Sequence, residues 1–268
     1  MSAQFCLQRT RVSSAPSKLI LVFYAFSREV STLKRRLRNR TPLNLKGLSG
    51  FRIRVEHGEA VFIATGIGMK RARAIARQAL AALPETELVI ATGVVGALSG
   101  GLRPGDIVIA DRAMSARRDS SHPEQVLPVD AAILEECERA IHRAGLDSST
   151  GAILTSMRIL PNAEEKRAAK QNSGAIAVDM ESAGIAIEAN ARGIPFAIVR
   201  TVIDSVDDEI FGAEVADAEG RVKPLAAANY LMRNPGAFLK IPWMLRNLAL
   251  ATRALADAIQ ALINTDLP

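Results

Sequence analysis

The stretch Ala177-Val178-Asp179-Met180-Glu181-Ser182-Ala183-Gly184 decides the fold. It enters as an apolar strand, turns on two carboxylates either side of a methionine, and leaves in an alanine-rich helical pattern. A strand therefore hands over to a helix at a pair of acids. Working outward, "PFAIVRTVID" (195–204) reads as the next buried strand and ends on Asp204. Before the stretch, the pattern predicts strands at 18–25, 51–56, 59–66, 87–93, 105–114 and 151–156, and helices from about Ser27, at 69–83, about 130–145 and 163–172. Several strands are apolar on both faces, so a mixed, largely parallel sheet covered by helices on each side is expected: a three-layer α/β domain. Residues 1–17 read as a flexible tail, and 18–268 as a single domain with a C-terminal helical extension over 224–263.

Composition narrows the chemistry. With 49% hydrophobic residues in 268, the chain can bury a large core. No apolar run reaches the ~18 residues of a membrane span, and "MSAQFCLQRTRVSSAPS" has no apolar centre to make it a signal peptide, so a cytoplasmic location is expected. Cys6 and Cys137 form neither a disulfide framework nor a metal motif, and His57, His122 and His142 lack ligand spacing. Metal and cofactor are not expected, and any chemistry falls to carboxylates. Residues 1–40 hold nine Lys or Arg against Glu29 alone, leaving the remainder at −2. Nucleic acid is not expected as a partner, because aromatics are only 4% and no nucleic-acid motif is present. The basic run "LKRRLRNR" reads as a solvated helix face, with contact to an anionic membrane surface as the alternative.

In a sheet of this kind ligands sit beyond the carboxyl ends of the strands. Those ends carry Glu29, "TGIG" (65–68), "ATGVVG" (91–96), Glu181 and Asp204. Gly66-Ile67-Gly68 is not a dinucleotide fingerprint, since Arg71 stands at the third glycine position, and no P-loop occurs. Gly93 and Gly96 mark either a tight turn or close backbone approach to a ligand. Asp204 is either a helix N-cap or an acid facing the ligand. Arg200, inside a buried strand, needs a carboxylate partner, for which Asp179 and Glu181 are the candidates.

Position by position, "AVDMESAGIAIEANARGIPFAIVRTVIDSVDD" (177–208), "ATGVVGALSGGLRPGDIVIAD" (91–111), "ATGIGMKRARA" (64–74) and "LVFYAFSREV" (21–30) resemble, in order, motifs of the nucleoside phosphorylase and 5'-methylthioadenosine/S-adenosylhomocysteine nucleosidase superfamily. The resemblance implies a nucleoside phosphorylase-like fold, a homodimer, and cleavage of the N-glycosidic bond of a 5'-substituted adenosine. It implies catalytic roles for Asp204, as proton donor to the purine, and for Glu29, which would hold and deprotonate water. It implies substrate contacts from Met180 on the ribose face, Glu181 on the 2'- and 3'-hydroxyls, and Gly93, Val94 and Gly66, with Arg200 and Asp179 in support.

Within that superfamily, phosphorylases present arginines to phosphate. Here the chain reads "YAFSREV" where their Gly-Asp-Pro turn would stand, and Ala91 replaces an Arg, so water is favoured over phosphate as co-substrate. Val94 replaces a small hydroxyl residue common to both branches. The tail "EGRVKPLAAANYLMRNPGAFLKIPWMLRNLALATRALADAIQALI" (219–263) is similar to the hopanoid-associated phosphorylase branch, linked to removal of adenine from an adenosylated triterpenoid. Phe238, Trp243 and Met244 near Arg233, Lys240 and Arg246 suggest an apolar, membrane-facing entrance; a terminal helix packed on the sheet is the plainer reading.

Overall fold

The computed structural model describes residues 18–116, 122–210, 229, 232–233 and 236–267. The tail expected at 1–17 and part of the extension expected at 224–263 lie outside the described residues. Ten strands form one mixed sheet: β1 (Lys18–Tyr24), β2 (Thr41–Pro42), β3 (Ser49–Val55), β4 (Gly58–Ala64), β5 (Thr86–Ala97), β6 (Ile107–Ala116), β7 (Pro123–Pro128), β8 (Ser148–Thr155), β9 (Ala177–Asp179) and β10 (Phe196–Asp204). The helices are α1 (Ser31–Arg36), α2 (Met69–Ala82), α3 (Ala131–Arg143), α4 (Ala163–Ser173), α5 (Ser182–Asn190) and α6 (Ala237–Ile263).

The middle of the sheet runs β4-β1-β5-β10, all parallel. These strands are almost continuously buried, as expected where helices cover both faces. Antiparallel pairings bring in β3 on β4, β2 on β3, and β6 on β10. β5 is the pivot. Its 12 residues lie along β1 through Ala91 and along β10 as far as Gly96. Beyond the end of β1, the edge it leaves is taken by β9, which pairs Val178 and Ala177 with Gly96 and Ala97. Since β9 also pairs with β8, and β8 with β6, the path β5-β10-β6-β8-β9 closes on itself.

That closure corrects one expectation. "ATGVVG" is the second half of a strand, not a turn, because hydrogen-bond partners are available on both its edges. β7 was not expected; it pairs with β6. The first helix begins at Ser31 rather than near Ser27, since residues 27–30 form a turn. β2 was not expected either; the other elements up to β10 agree with the expected ranges to within a few residues, and their ends show the reason. Asp130 accepts from the Ala132 and Ile133 N–H groups at the start of α3, Asn162 accepts from the Glu165 N–H at the start of α4, and Gly174 closes α4 at φ 71°.

α2 packs on α5, and α6 packs on α1, α3 and β10, which gives the helical layers on either side of the sheet. At Gly184 on α5 a Cβ would sit 2.5 Å from the Met69 carbonyl oxygen, so only glycine allows the first turn of α5 this close to α2. The tail helix divides in two. Ala251, Leu255, Ala256, Ile259 and Leu262 are core residues, whereas Leu239 and Leu245 are 85% and 58% exposed. Packing on the sheet therefore accounts for the second half of α6 only.

Candidate active site

A cavity of about 360 Å³ opens at the carboxyl ends of β1, β5, β9 and β10. Its wall includes Glu29, Val94, Asp179, Met180, Glu181 and Asp204, so one space collects residues from four strand ends. Gly66 and Gly93 stand behind that wall rather than on it. Gly66 donates its N–H to the Ala25 carbonyl, and its α-carbon faces the Arg71 side chain. At Gly93, φ is 138°, and a Cβ would meet Arg200 Nη1 and Glu29 Oε1 at 2.5 Å each. Gly93 thus lets two buried charged groups approach the same point of the backbone.

Arg200 is fully buried, and its partner is Asp179, at 2.6 Å from Nη2. The guanidinium also donates to Ser182 Oγ from Nε and Nη2, and to the Thr92 carbonyl from Nη1. Asp179 receives Thr155 Oγ1 at 2.7 Å and the Ser182 N–H at 3.0 Å, so it orients the first turn of α5. Both partners of this pair are satisfied within the protein and hold the strand-to-helix corner rather than facing the cavity with open valences.

Glu29 folds back from the turn after β1. Its Oε2 accepts the Ala25 and Phe26 N–H groups at 2.7 and 3.1 Å, and its Oε1 accepts the Val94 N–H at 3.0 Å. This folding-back occupies the residues that the periodicity assigned to a first helical turn. A carboxylate has about four acceptor sites, so three protein donors leave one for a small molecule in the cavity. Glu181 accepts the Gly68 N–H at 2.7 Å, where Gly68 begins α2, and the Met180 N–H at 3.3 Å. Asp204 Oδ2 is held by Lys166, while Oδ1 has no hydrogen-bond partner among the described residues. Residues 205–210, which directly follow Asp204, are turn and coil, which excludes the N-cap reading.

Burial raises Glu29, Glu181 and Asp204 above the ordinary carboxylate range. For Glu29 it is opposed by Arg200 and by the three backbone donors. For Glu181 the Asp179 charge adds to burial and Arg200 opposes it, leaving a value of about 8. For Asp204 burial is opposed by Lys166 and reinforced by Asp208. Burial of this kind favours the protonated form of a carboxyl, which is the form a general acid needs.

Reasoning from the sequence missed Lys166, which sits in the charged run "AEEKRAAKQ" and whose partner is 38 residues away. It also did not single out Ile67, Arg158 and Ile159, which are part of the wall. Trp243 and Met244 do line the cavity, as the tail's composition suggested; the Phe238 side chain lies outside what the structure describes. Asp207 is solvent-exposed and paired with Arg167. Arg28 lies at the rim, exposed, and lines both the cavity and an adjoining groove between α1 and α6.

The profile of the phosphorylase superfamily matches residues 19–229, and the chain belongs to that superfamily. It is 25% identical over 197 residues to a 5'-methylthioadenosine/S-adenosylhomocysteine nucleosidase of Staphylococcus epidermidis, covering 69% of this chain and 86% of that protein. It is 29% identical over 195 residues to a Haemophilus influenzae protein of the same name, covering 68% of this chain and 84% of the relative. Among solved structures, the 5'-methylthioadenosine/S-adenosylhomocysteine nucleosidase of Neisseria meningitidis in complex with methylthio-immucillin-A superposes with a TM-score of 0.70, over 92% of this chain and 99% of that one, at 21% identity. At that identity the likeness establishes the fold.

The raised carboxyls fix the sign of a pH effect. Between about 4.5 and 8 the folded protein keeps a proton on Glu181 that the unfolded chain releases, so the native state binds more protons and stability falls as pH rises through that window. Thermal melts of the free protein at pH 5.5, 7 and 8.5 should show this fall, and Glu181→Gln, neutral throughout, should flatten it. An identical pH dependence in the variant would mean that Glu181 is ionised across the window.

Proposed function

We propose that this protein is a purine nucleosidase that hydrolyses the N-glycosidic bond of a 5'-substituted adenosine and releases adenine. The observation that carries the reading is the partition around one cavity of Glu29, Glu181 and Asp204, the buried carboxyls outside the Arg200–Asp179 pair. Expelling a purine from ribose is feasible once a base nitrogen is protonated, and Asp204, with a raised pKa and an Oδ1 that has no partner among the described residues, is the donor to N7. The sugar then develops oxocarbenium character, which an ionised Glu29 stabilises electrostatically. Glu181 takes the vicinal ribose hydroxyls on its remaining acceptor sites, and Met180 packs against the ribose face. Glu29 holds water on its one open acceptor site and takes the proton as the oxygen adds to C1'. The division of labour parallels hydrolysis of glycosides by two carboxyls, without a covalent intermediate.

Water is preferred to phosphate on electrostatic grounds. Arg200 is fully buried, and its donors are committed to Asp179, Ser182 and Thr92. A phosphate placed at Glu29 would meet a carboxylate, and of the described arginines that line the cavity Arg28 is exposed and Arg158 is paired with Glu165. The names of the curated relatives agree with hydrolysis.

Adenine release from 5'-methylthioadenosine is therefore expected at full rate without phosphate. Asp204→Asn should lower kcat by about 10²-fold or more while nucleoside affinity stays within a few-fold, because the amide keeps the shape and loses the proton. Strict phosphate dependence with ribose 1-phosphate as product would make the protein a phosphorylase. Substantial activity in the Asp204 variant would remove it as the acid.

One observation favours a second reading of the substrate, in which the 5' group is a long apolar chain. Trp243, Met244, Leu245 and Leu248 bring the first half of α6 to the cavity, and Leu239, Met244, Leu245 and Leu250 on that half are exposed. A long chain would bury more of this wall than a methylthio group can, at about 25 cal/mol per Å² before ordering costs. Because the second half of α6 is core, the wall is tested by point substitution and not by truncation. The double variant Trp243→Ala, Met244→Ser should raise KM at least tenfold for an adenosine carrying a long alkyl chain at C5' and at most threefold for methylthioadenosine. Equal changes would leave the short-substituent reading standing.

A further inference from the structure

Lys166 is on the second turn of α4, with a side chain 1% exposed. Burying an ammonium is unfavourable unless each of its donors is paired. Here all three are: Nζ donates to Asp204 Oδ2, to the Ser205 carbonyl at 2.7 Å and to the Asp208 carbonyl at 2.9 Å. α4 is itself anchored by Ala169 in a small apolar cluster with Leu154, Leu160 and Val178, so the ammonium is delivered from a fixed element. The contact does two things at once. It clamps the turn 204–208 to α4, and it engages Oδ2 of a residue that lines the cavity while Oδ1 has no hydrogen-bond partner among the described residues.

We propose that Lys166 is a positioning residue for proton delivery, holding Asp204 by Oδ2 so that Oδ1 alone presents the proton to the purine. This rests on the adenine-releasing reading of the site. In the step itself the Oδ1–H bond breaks and the proton goes to purine N7, while the C1'–N9 bond breaks and its electron pair goes to the base. Water oxygen bonds to C1' and gives its proton to Glu29, and adenine and the free sugar leave. Asp204 ends the step as a carboxylate, and the Lys166 ammonium on Oδ2 is the counter-charge that makes this tolerable in a buried site. A proton returned from Glu29 through solvent resets Asp204.

The other charged groups around Asp204 are Asp208 in the turn after β10, Arg158 in the segment before α4, Arg28 at the rim, and Glu29, Asp179 and Glu181 across the cavity. None of them reaches Oδ2. Removing the ammonium should thus leave the acid more reluctant to ionise, and the alkaline fall of the rate, where the acid loses its proton, should move to higher pH.

The test uses the full chain with 5'-methylthioadenosine, measuring kcat and KM from pH 5 to 9 for wild type, Lys166→Met and Lys166→Arg. For Lys166→Met the expected result is a kcat lower by about 30-fold or more, KM within threefold, and the alkaline limb displaced upward by about one pH unit. Lys166→Arg, which restores a cation, should recover at least a tenth of the wild-type rate and the wild-type limb. Unchanged kcat, or loss in both variants with an unshifted limb, would overturn the proposal and leave Lys166 a purely structural residue. Folding of the variants is bypassed by a measurement on wild type labelled with 15N at lysine Nζ. One exchange-protected ammonium resonance should be present at neutral pH and move when adenine binds; its absence, or indifference to adenine, would also overturn the proposal. Failure of wild type to release adenine would instead sink the nucleosidase reading, so the two failures are distinct.

Discussion

The site depends on the buried ion pair between Arg200 and Asp179. Four structural elements meet at it: β10 carries the arginine, β9 the aspartate, α5 begins with Ser182, and β5 contributes the Thr92 carbonyl. Removing one member of such a pair leaves an uncompensated buried charge, at a typical cost of about 3–5 kcal/mol. Placing the guanidinium beneath β5 requires that residue 93 have no side chain, since Glu29 reaches the same point from the other direction. The ion pair, Gly93 and the fold-back of Glu29 are therefore one packing solution. They bring the carboxyl of a residue after the first strand beside a strand that begins more than fifty residues later.

The same closure gives the carboxyls their chemistry. Each is shielded from water, so each is pushed towards its protonated form, and what separates them is the company each keeps. Glu29 accepts three N–H groups, Glu181 sits beside the charge of Asp179, and Asp204 is bound by an ammonium through a single oxygen. Acid and base roles at one pH are obtained by varying such surroundings rather than the residue type. α6 adds a separate layer of control, with its second half built into the core and its first half forming an apolar side of the cavity.

Much of this was legible before any coordinates. Strands apolar on both faces announced a covered, partly parallel sheet, and the acids at the ends of the strands marked its working edge. What escaped did so for physical reasons. Gly93 and Gly96 left a tight turn and close approach to a ligand both open, because glycine serves either, and only the partners on both edges of β5 show that the chain continues as a strand. The start of α1 was misplaced because a side-chain carboxylate, invisible to periodicity, holds the preceding turn. Lys166 left no signal, because a lysine in a polar helix is ordinarily solvated and nothing local distinguishes one whose partner comes from a distant strand.

The central claim is that one cavity holds base, sugar and nucleophile between Asp204, Glu181 and Glu29. The most direct test is a crystal structure with a 5'-methylthioadenosine analogue whose glycosidic nitrogen is replaced by carbon, so that the bond cannot be cleaved. The account predicts the purine N7 within hydrogen-bond distance of Asp204 Oδ1, both ribose hydroxyls on Glu181, and a water on Glu29 facing C1'. A purine turned away from Asp204, or a nucleoside seated outside this cavity, would contradict it.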